Sequence, residues 1–163
     1  MISLLRQVLD RGLEINERLA AAAANGFDWL FRHEYLVKSG QTEFELVHVG
    51  DPMTVRHYTL DGEHAIELAD GTVLPIRRRR HAVPLVLVPP LGVTTETFDL
   101  MPNRSLVRYM TARGFKVYLI CWGKPGRRHA KLGIKDYADR MMGEALASVR
   151  AHSGVDEVSL MGW

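Results

Sequence analysis

Pro84-Leu85-Val86-Leu87-Val88-Pro89-Pro90 sets an unbroken apolar run between prolines. A strand with one wet face alternates apolar and polar residues. A run without alternation marks a strand covered on both faces, as in a mainly parallel sheet. The paired prolines end it abruptly, because neither can donate to a β ladder.

Downstream of this run the pattern repeats. Arg104 to Arg113 reads as a helix with Leu106, Val107 and Met110 on one face and Gly114 as its stop. Phe115 to Cys121 is a second buried strand. Asp136 is placed to cap a further helix, with Ala138, Met141, Met142, Ala145, Leu146 and Val149 facing inward and Ser153-Gly154 breaking it. Val155 to Met161 then reads as a third strand, interior to the sheet. Strand, helix, strand, helix, strand is the unit of a doubly wound α/β fold with right-handed crossovers.

Upstream, Thr54 to Leu60 and Glu63 to Ala69 are β-like runs joined by Asp61-Gly62, and Asp70-Gly71 introduces Thr72 to Ile76. These runs predict an antiparallel meander leading into the parallel sheet. At the start of the chain Leu4, Leu5, Val8, Leu9 and Leu13 recur at helical spacing. Ile15 and Leu19 continue that face into Ala20 to Ala24, and Asn25-Gly26 is read as the helix end. Such a stripe could dock on the main unit, bind a partner helix or lie on a hydrophobic granule, with ordinary packing the default. No single period governs Phe27 to Tyr35, whose structure stays open. The expected organisation is an N-terminal helical segment, 1–41, and an α/β unit, 42–163.

Bulk properties agree with a globular chain. Of 163 residues, 47% are hydrophobic and 25% charged, which suits one domain with a sizeable core. A net charge of +2 gives little reason to invoke nucleic acid or a membrane surface. The single cysteine, Cys121, allows no internal disulfide, so a reducing cytoplasmic setting is expected. Arg6, Asp10, Arg11, Glu14, Glu17 and Arg18 interrupt the first segment too often for an export signal or a membrane span.

In open α/β sheets ligands collect at the carboxyl ends of the parallel strands, so the segments after Val88, Cys121 and Met161 should share one rim. Gly162-Trp163 follows an apolar strand and matches the opening of a G-x-nucleophile-x-G elbow. Glycine is needed before the nucleophile because the strand-to-helix turn leaves no room for a side chain.

The order of the pieces carries a resemblance: Pro84 to Pro90, then Ser105-Leu106-Val107-Arg108, Arg113-Gly114-Phe115-Lys116-Val117-Tyr118, Trp122, Asp136-Tyr137 and Val158-Ser159-Leu160-Met161-Gly162. In this order and spacing the chain resembles the polyhydroxyalkanoate synthases, most strongly from Pro84 onward and extending from about Thr42. The resemblance implies part of an α/β-hydrolase fold. It also implies a cysteine nucleophile, helped by a histidine and an aspartate, that polymerises (R)-3-hydroxyacyl groups from coenzyme A thioesters onto a growing polyester. The substrate is then a coenzyme A thioester, with no further cofactor, and a homodimer or a second synthase subunit is the implied partner. A cytoplasmic location, at a polyester granule surface, is implied with it. A thiolate suits thioester chemistry because it accepts the acyl group with little loss of energy.

The nucleophile is expected immediately after Trp163 and the other triad members later still, so residues 1–163 alone are expected to be inert. Three central strands without later neighbours would also leave an apolar edge that invites aggregation. On the resemblance, Leu91 or Gly92 would donate the second oxyanion-hole amide; otherwise the two prolines simply end a strand. Cys121 lacks the elbow setting and reads as core packing.

His33, His48, His57, His64, His81, His129 and His152 are scattered without metal spacing, so no metal site is expected and each is read as structural or surface. Lys124, Arg127 and Arg128 stand beside the expected rim and could hold coenzyme A phosphates, as could Arg77 to Arg80 less favourably; for both clusters the alternative is a solvated face. Two other functions fit the same residues: a serine esterase of the same fold, or a non-catalytic protein that binds a synthase or coats a granule. The residue after Trp163, and a copurifying chain carrying the triad, separate the three.

Overall fold

The computed structural model describes residues 2–31 and 39–162, with side chains omitted for 2–15 and 29. The chain forms two compact units, Met1–Lys38 and Ser39–Trp163. In the first, helix α1 covers Ile2–Phe31. It continues through Asn25-Gly26, the end expected from the sequence. A helix interior absorbs one glycine at about 1 kcal/mol, and the Phe27 and Phe31 rings, one turn apart with centroids at 4.8 Å, continue the helical spacing beyond it. Residues 32–38, including His33 and Tyr35, lie outside the described residues.

The second unit is a mixed α/β domain. Its strands are β1 (Phe44–Val49), β2 (Thr54–Tyr58), β3 (Ala65–Glu67), β4 (Val73–Pro75), β5 (Leu85–Val88), β6 (Val117–Cys121) and β7 (Ser159–Gly162). The main sheet has the order β1-β2-β6-β5-β7, and β3 pairs with β4 in a separate hairpin. β5 runs parallel to β6 on one side and to β7 on the other. β2 is antiparallel to both β1 and β6.

This arrangement corrects the expected meander. Asp61-Gly62 does not turn β2 back on β3. β2 instead fills the gap between β1 and β6, where both its edges gain a ladder, and only the Asp70-Gly71 hairpin survives as expected. β1 has no counterpart in the sequence reading, because Phe44, Leu46 and Val49 are exposed and no buried face stands out.

Helix α2 (Leu106–Ala112) covers one face of the sheet and starts where the Ser105 hydroxyl accepts the Arg108 amide at 3.1 Å. It packs Val107, Leu106 and Met110 onto Leu85, Leu87, Val117, Leu119 and Tyr58. Helix α3 (Met142–Ser153), entered through a π-helical turn at Asp136–Met141, covers the other face. Met141 of that turn and Ala145 and Val149 of the helix meet Val55, Val86, Tyr118, Ile120 and Trp122. The alternating side chains of β5 and β6 thus serve both faces, which is why Leu85-Val86-Leu87-Val88 carries no polar position.

Two details of α3 differ from expectation. Helical residues begin at Ile134, so Asp136 is not the cap itself; its carboxylate reaches back to accept the Gly133 amide at 2.9 Å. The wide π turn also shifts the phase of the face, so Tyr137 packs on the core while Ala138 is exposed. Gly114 and Gly154 follow α2 and α3 in the left-handed conformation, as their sequence positions suggest.

β7 is shorter and more marginal than predicted. Val155–Val158 is not strand, and Ser159–Gly162 is exposed throughout, as the outer strand of the described sheet. It bonds to β5 alone, so the interior position expected of Val155 to Met161 is not seen here, although its neighbour is the Leu85–Val88 strand.

Candidate functional site

Because β6, β5 and β7 are parallel and in register from Leu85↔Val117 and Leu85↔Ser159, their carboxyl ends fall on one edge of the sheet. A cleft of about 430 Å³ opens there. Its walls are the turn after β5, Leu91 to Glu96, and the segment after β6, Cys121 to Pro125, with Arg56 of β2 beside them.

The two walls are pinned together. The buried Trp122 indole N–H donates to the Pro89 carbonyl at 2.7 Å, and Tyr137 meets the indole edge-on at 5.7 Å. Beyond Pro89, the Val93 amide donates to the Pro90 carbonyl at 3.1 Å, closing a β-turn with Leu91 and Gly92 at its two central positions. The loop is anchored at its far end by Asp99, whose buried carboxylate accepts the Thr42 amide at 2.9 Å and the Thr42 hydroxyl at 2.7 Å.

Gly123 is fixed by its surroundings. Its φ of 72° is left-handed, and a β-carbon there would collide with the Pro52 carbonyl. Gly162 has a tight neighbour too, since a β-carbon would stand 3.1 Å from the Val88 carbonyl oxygen. The end of β7 therefore lies directly against the strand that feeds Pro89-Pro90. Trp163 lies outside the described residues.

The cleft is polar on one side. Lys124, Arg56 and Glu96 line it. The hydrogen bond with Thr94 holds the Glu96 carboxyl below the usual carboxylate range, and Arg56 and Lys124 add to that lowering. The Arg56 guanidinium carbon sits 4.3 Å above the Phe44 ring.

The basic residues singled out from the sequence divide. Lys124 faces the cleft. Arg127 and Arg128 belong to the next helical turn, and Arg128 pairs with Asp51 at 3.0 Å while 75% exposed. Arg77 to Arg80 lie before β5, at the opposite end of the sheet; Arg80 donates to the Thr111 carbonyl at 2.9 Å and His81 stacks on Phe115. Cys121, read from the sequence as core packing, is half-buried and lines the cleft. No histidine lines that cleft among the described residues, and no catalytic triad is formed around Cys121.

The histidines do not stay scattered. His129 bonds Asp51 at 2.8 Å and His48 meets Ser148 at 3.1 Å. His57 and His152 converge on Glu45, a grouping that linear spacing could not reveal because these residues lie on β2, α3 and β1.

No protein-family model matches the chain. Its sequence is 29% identical over 164 positions to the poly(3-hydroxyalkanoate) polymerase subunit PhaC of Haloferax mediterranei, covering 99% of this chain and 29% of that protein. The subunit PhaC of Haloarcula marismortui is 33% identical over 128 residues, 78% of this chain and 25% of that protein. For the subunit PhaC of Cupriavidus necator the figures are 33% over 89 residues, 55% of this chain and 15% of that protein. The chain thus spans less than a third of the length of the relatives it matches. Among the described residues, no helix is long and apolar enough to cross a membrane. At low identity and over part of their length, the chain is similar at the family level to the PhaC-type poly(3-hydroxyalkanoate) polymerases.

Proposed function

We propose that this chain is the N-terminal part of an acyltransferase that polymerises (R)-3-hydroxyacyl groups from coenzyme A thioesters through a covalent acyl-cysteine. The observation that carries the reading is the shared edge of β6, β5 and β7, where a cleft opens beside Pro89–Val93 and Gly162 stands against Val88. The strand order supports half of an α/β-hydrolase arrangement, in which the strand bearing the nucleophile adjoins the strand bearing the oxyanion loop.

On this reading the nucleophile is the elbow residue after Trp163, not Cys121. Its thiolate attacks the thioester carbonyl, and the resulting oxyanion takes hydrogen bonds from the Leu91 or Gly92 amide. The carbon–sulfur bond to coenzyme A breaks and its thiolate leaves; on this reading Lys124, which lines the cleft, holds a phosphate of the departing coenzyme A, with Arg127 and Arg128 further out. A chain-end hydroxyl then attacks the acyl-cysteine and gives its proton to the histidine base implied by the resemblance; the acyl–sulfur bond breaks, the cysteine leaves as the thiolate, and the polyester is one unit longer. The designation of the haloarchaeal relatives as subunits supports a second polypeptide in the working enzyme.

The test is the identity of the residue encoded after Trp163, read together with coenzyme A release from (R)-3-hydroxybutyryl-CoA by the polypeptide that includes it. Cysteine with polymer-forming release is the expected result. Serine with release of free acid would instead identify an esterase, and a stop codon there would overturn the reading.

A further inference from the structure

We propose that Glu45, His57 and His152 form a binding site for a divalent transition-metal ion of the zinc type, independent of the cleft at the carboxyl edge. The site is assembled by register. Glu45 of β1 lies opposite His57 of β2, and His57 lies opposite Tyr118 of β6, so the three form a row across one face of the sheet. The last turn of α3 brings His152 over that row.

The donor set is that of a zinc-type site: two imidazoles and a carboxylate, with one position left over. Glu45 Oε1 is 2.7 Å from His57 Nδ1 and 3.1 Å from His152 Nε2, and the ligand atoms of all three residues lie within 4.8 Å of one another. A tetrahedral ion with bonds of about 2.1 Å separates its ligands by about 3.4 Å. The present spacing brackets that value, and Glu45, 56% exposed, has room to adjust.

A second feature points the same way. Metal-bound histidine ordinarily presents its other ring nitrogen to an oxygen that fixes the tautomer. Tyr118 Oη lies 2.8 Å from His152 Nδ1. The Tyr118 hydroxyl oxygen can accept the Nδ1–H that His152 carries when Nε2 ligates an ion. Without an ion, Nε2–H donates to Glu45 and the Tyr118 hydroxyl donates to Nδ1.

The fourth position opens on a cavity of about 310 Å³ that Arg80 and Lys116 also line. Water or a small anion fits there. The polymerase reading makes no use of this cavity, which lies at the amino end of β6.

The test is a titration of the untagged chain with Co²⁺, followed by its visible absorption, and with Zn²⁺ by equilibrium dialysis. One equivalent of Zn²⁺ should bind, with a four-coordinate Co²⁺ spectrum and a raised unfolding temperature. His57→Ala and His152→Ala should each weaken binding more than about a hundredfold, and Tyr118→Phe about tenfold. His64→Ala, at an exposed residue, should leave it unchanged. Glu45→Gln, at an exposed position, keeps the comparison valid if a histidine variant fails to fold, and it should lose the four-coordinate spectrum. No saturable Zn²⁺ binding by the wild type, or binding indifferent to His152→Ala and Glu45→Gln, would overturn the proposal.

Discussion

The Trp122 indole N–H donates to the Pro89 carbonyl across 2.7 Å in a buried setting, so the ends of β6 and β5 hold one another at the mouth of the cleft. The bond explains why a tryptophan follows the strand: its ring fills the core beneath α3, and its single polar atom satisfies the carbonyl of a loop with no ladder partner beyond it.

Trp122→Phe keeps most of the packing and removes the donor. A buried carbonyl left unpaired costs about 1–3 kcal/mol. Urea denaturation should show that loss with an unchanged slope, and amide exchange in the Pro90–Val93 turn should speed up more than exchange in β2.

Gly123→Ala should be worse than its size suggests. A residue other than glycine at this φ costs about 1–2 kcal/mol, and the new methyl also runs into the Pro52 carbonyl. We expect a thermal midpoint several degrees lower. Gly126→Ala, where a β-carbon meets nothing within 4 Å, provides the matched control.

Acid should weaken this domain in two overlapping stages. Burial first of all pulls His57 below its ordinary 6.5, against the opposing pull of Glu45. The hydrogen bond from His57 pulls Glu45 below its ordinary 4.5. Both shifts leave the folded chain binding fewer protons than the unfolded one, so stability is present at higher pH. It starts to fall as acid passes 6.5, falls further through 4.5, and the loss is complete below the folded-state values. Thermal midpoints measured from pH 8 to pH 3.5 should show the decline, and His57→Gln should flatten its upper part.

Lys124→Ala should weaken binding of coenzyme A about tenfold, the worth of one charge-assisted hydrogen bond to a phosphate at about 1.5 kcal/mol. Arg128→Ala should matter less, since that guanidinium is already paired with Asp51. Isothermal titration at low salt distinguishes them; equal losses would place the phosphates outside the cleft.

β5 and β6 were legible because burial on both faces leaves an unbroken apolar run, as in Leu85 to Val88, and Gly114 marks the end of α2; β7 was read too long and as interior, because Val155, Val158, Leu160 and Met161 are apolar while only Ser159–Gly162 pairs, at the outer edge. β1 was not legible, since its side chains are exposed and its place is decided by a ladder with Thr54–Tyr58. The meander failed for the same reason: Asp61-Gly62 has turn chemistry, but β2 gains more by pairing on both edges than by folding back on β3. Ala138 was misplaced because a π turn cannot be told from an α turn by apolar spacing. At the candidate site, strand ends point to the segments after Val88 and Cys121, which hold Leu91, Gly92 and Lys124, whereas Arg56 and Glu96 join the cleft only through tertiary packing. Glu45, His57 and His152 meet through strand register and helix placement, neither of which a linear motif records.

The most direct measurement is where an acyl group lands. The protein carrying the residue after Trp163 should be incubated with (R)-3-hydroxybutyryl-CoA, quenched and mapped by peptide mass spectrometry, with a Cys121→Ser form in parallel. A 3-hydroxybutyryl adduct is expected on the residue next to Trp163 in both forms. An adduct on Cys121 that vanishes in the serine form, or thioester cleavage with no adduct beside Trp163, would contradict it.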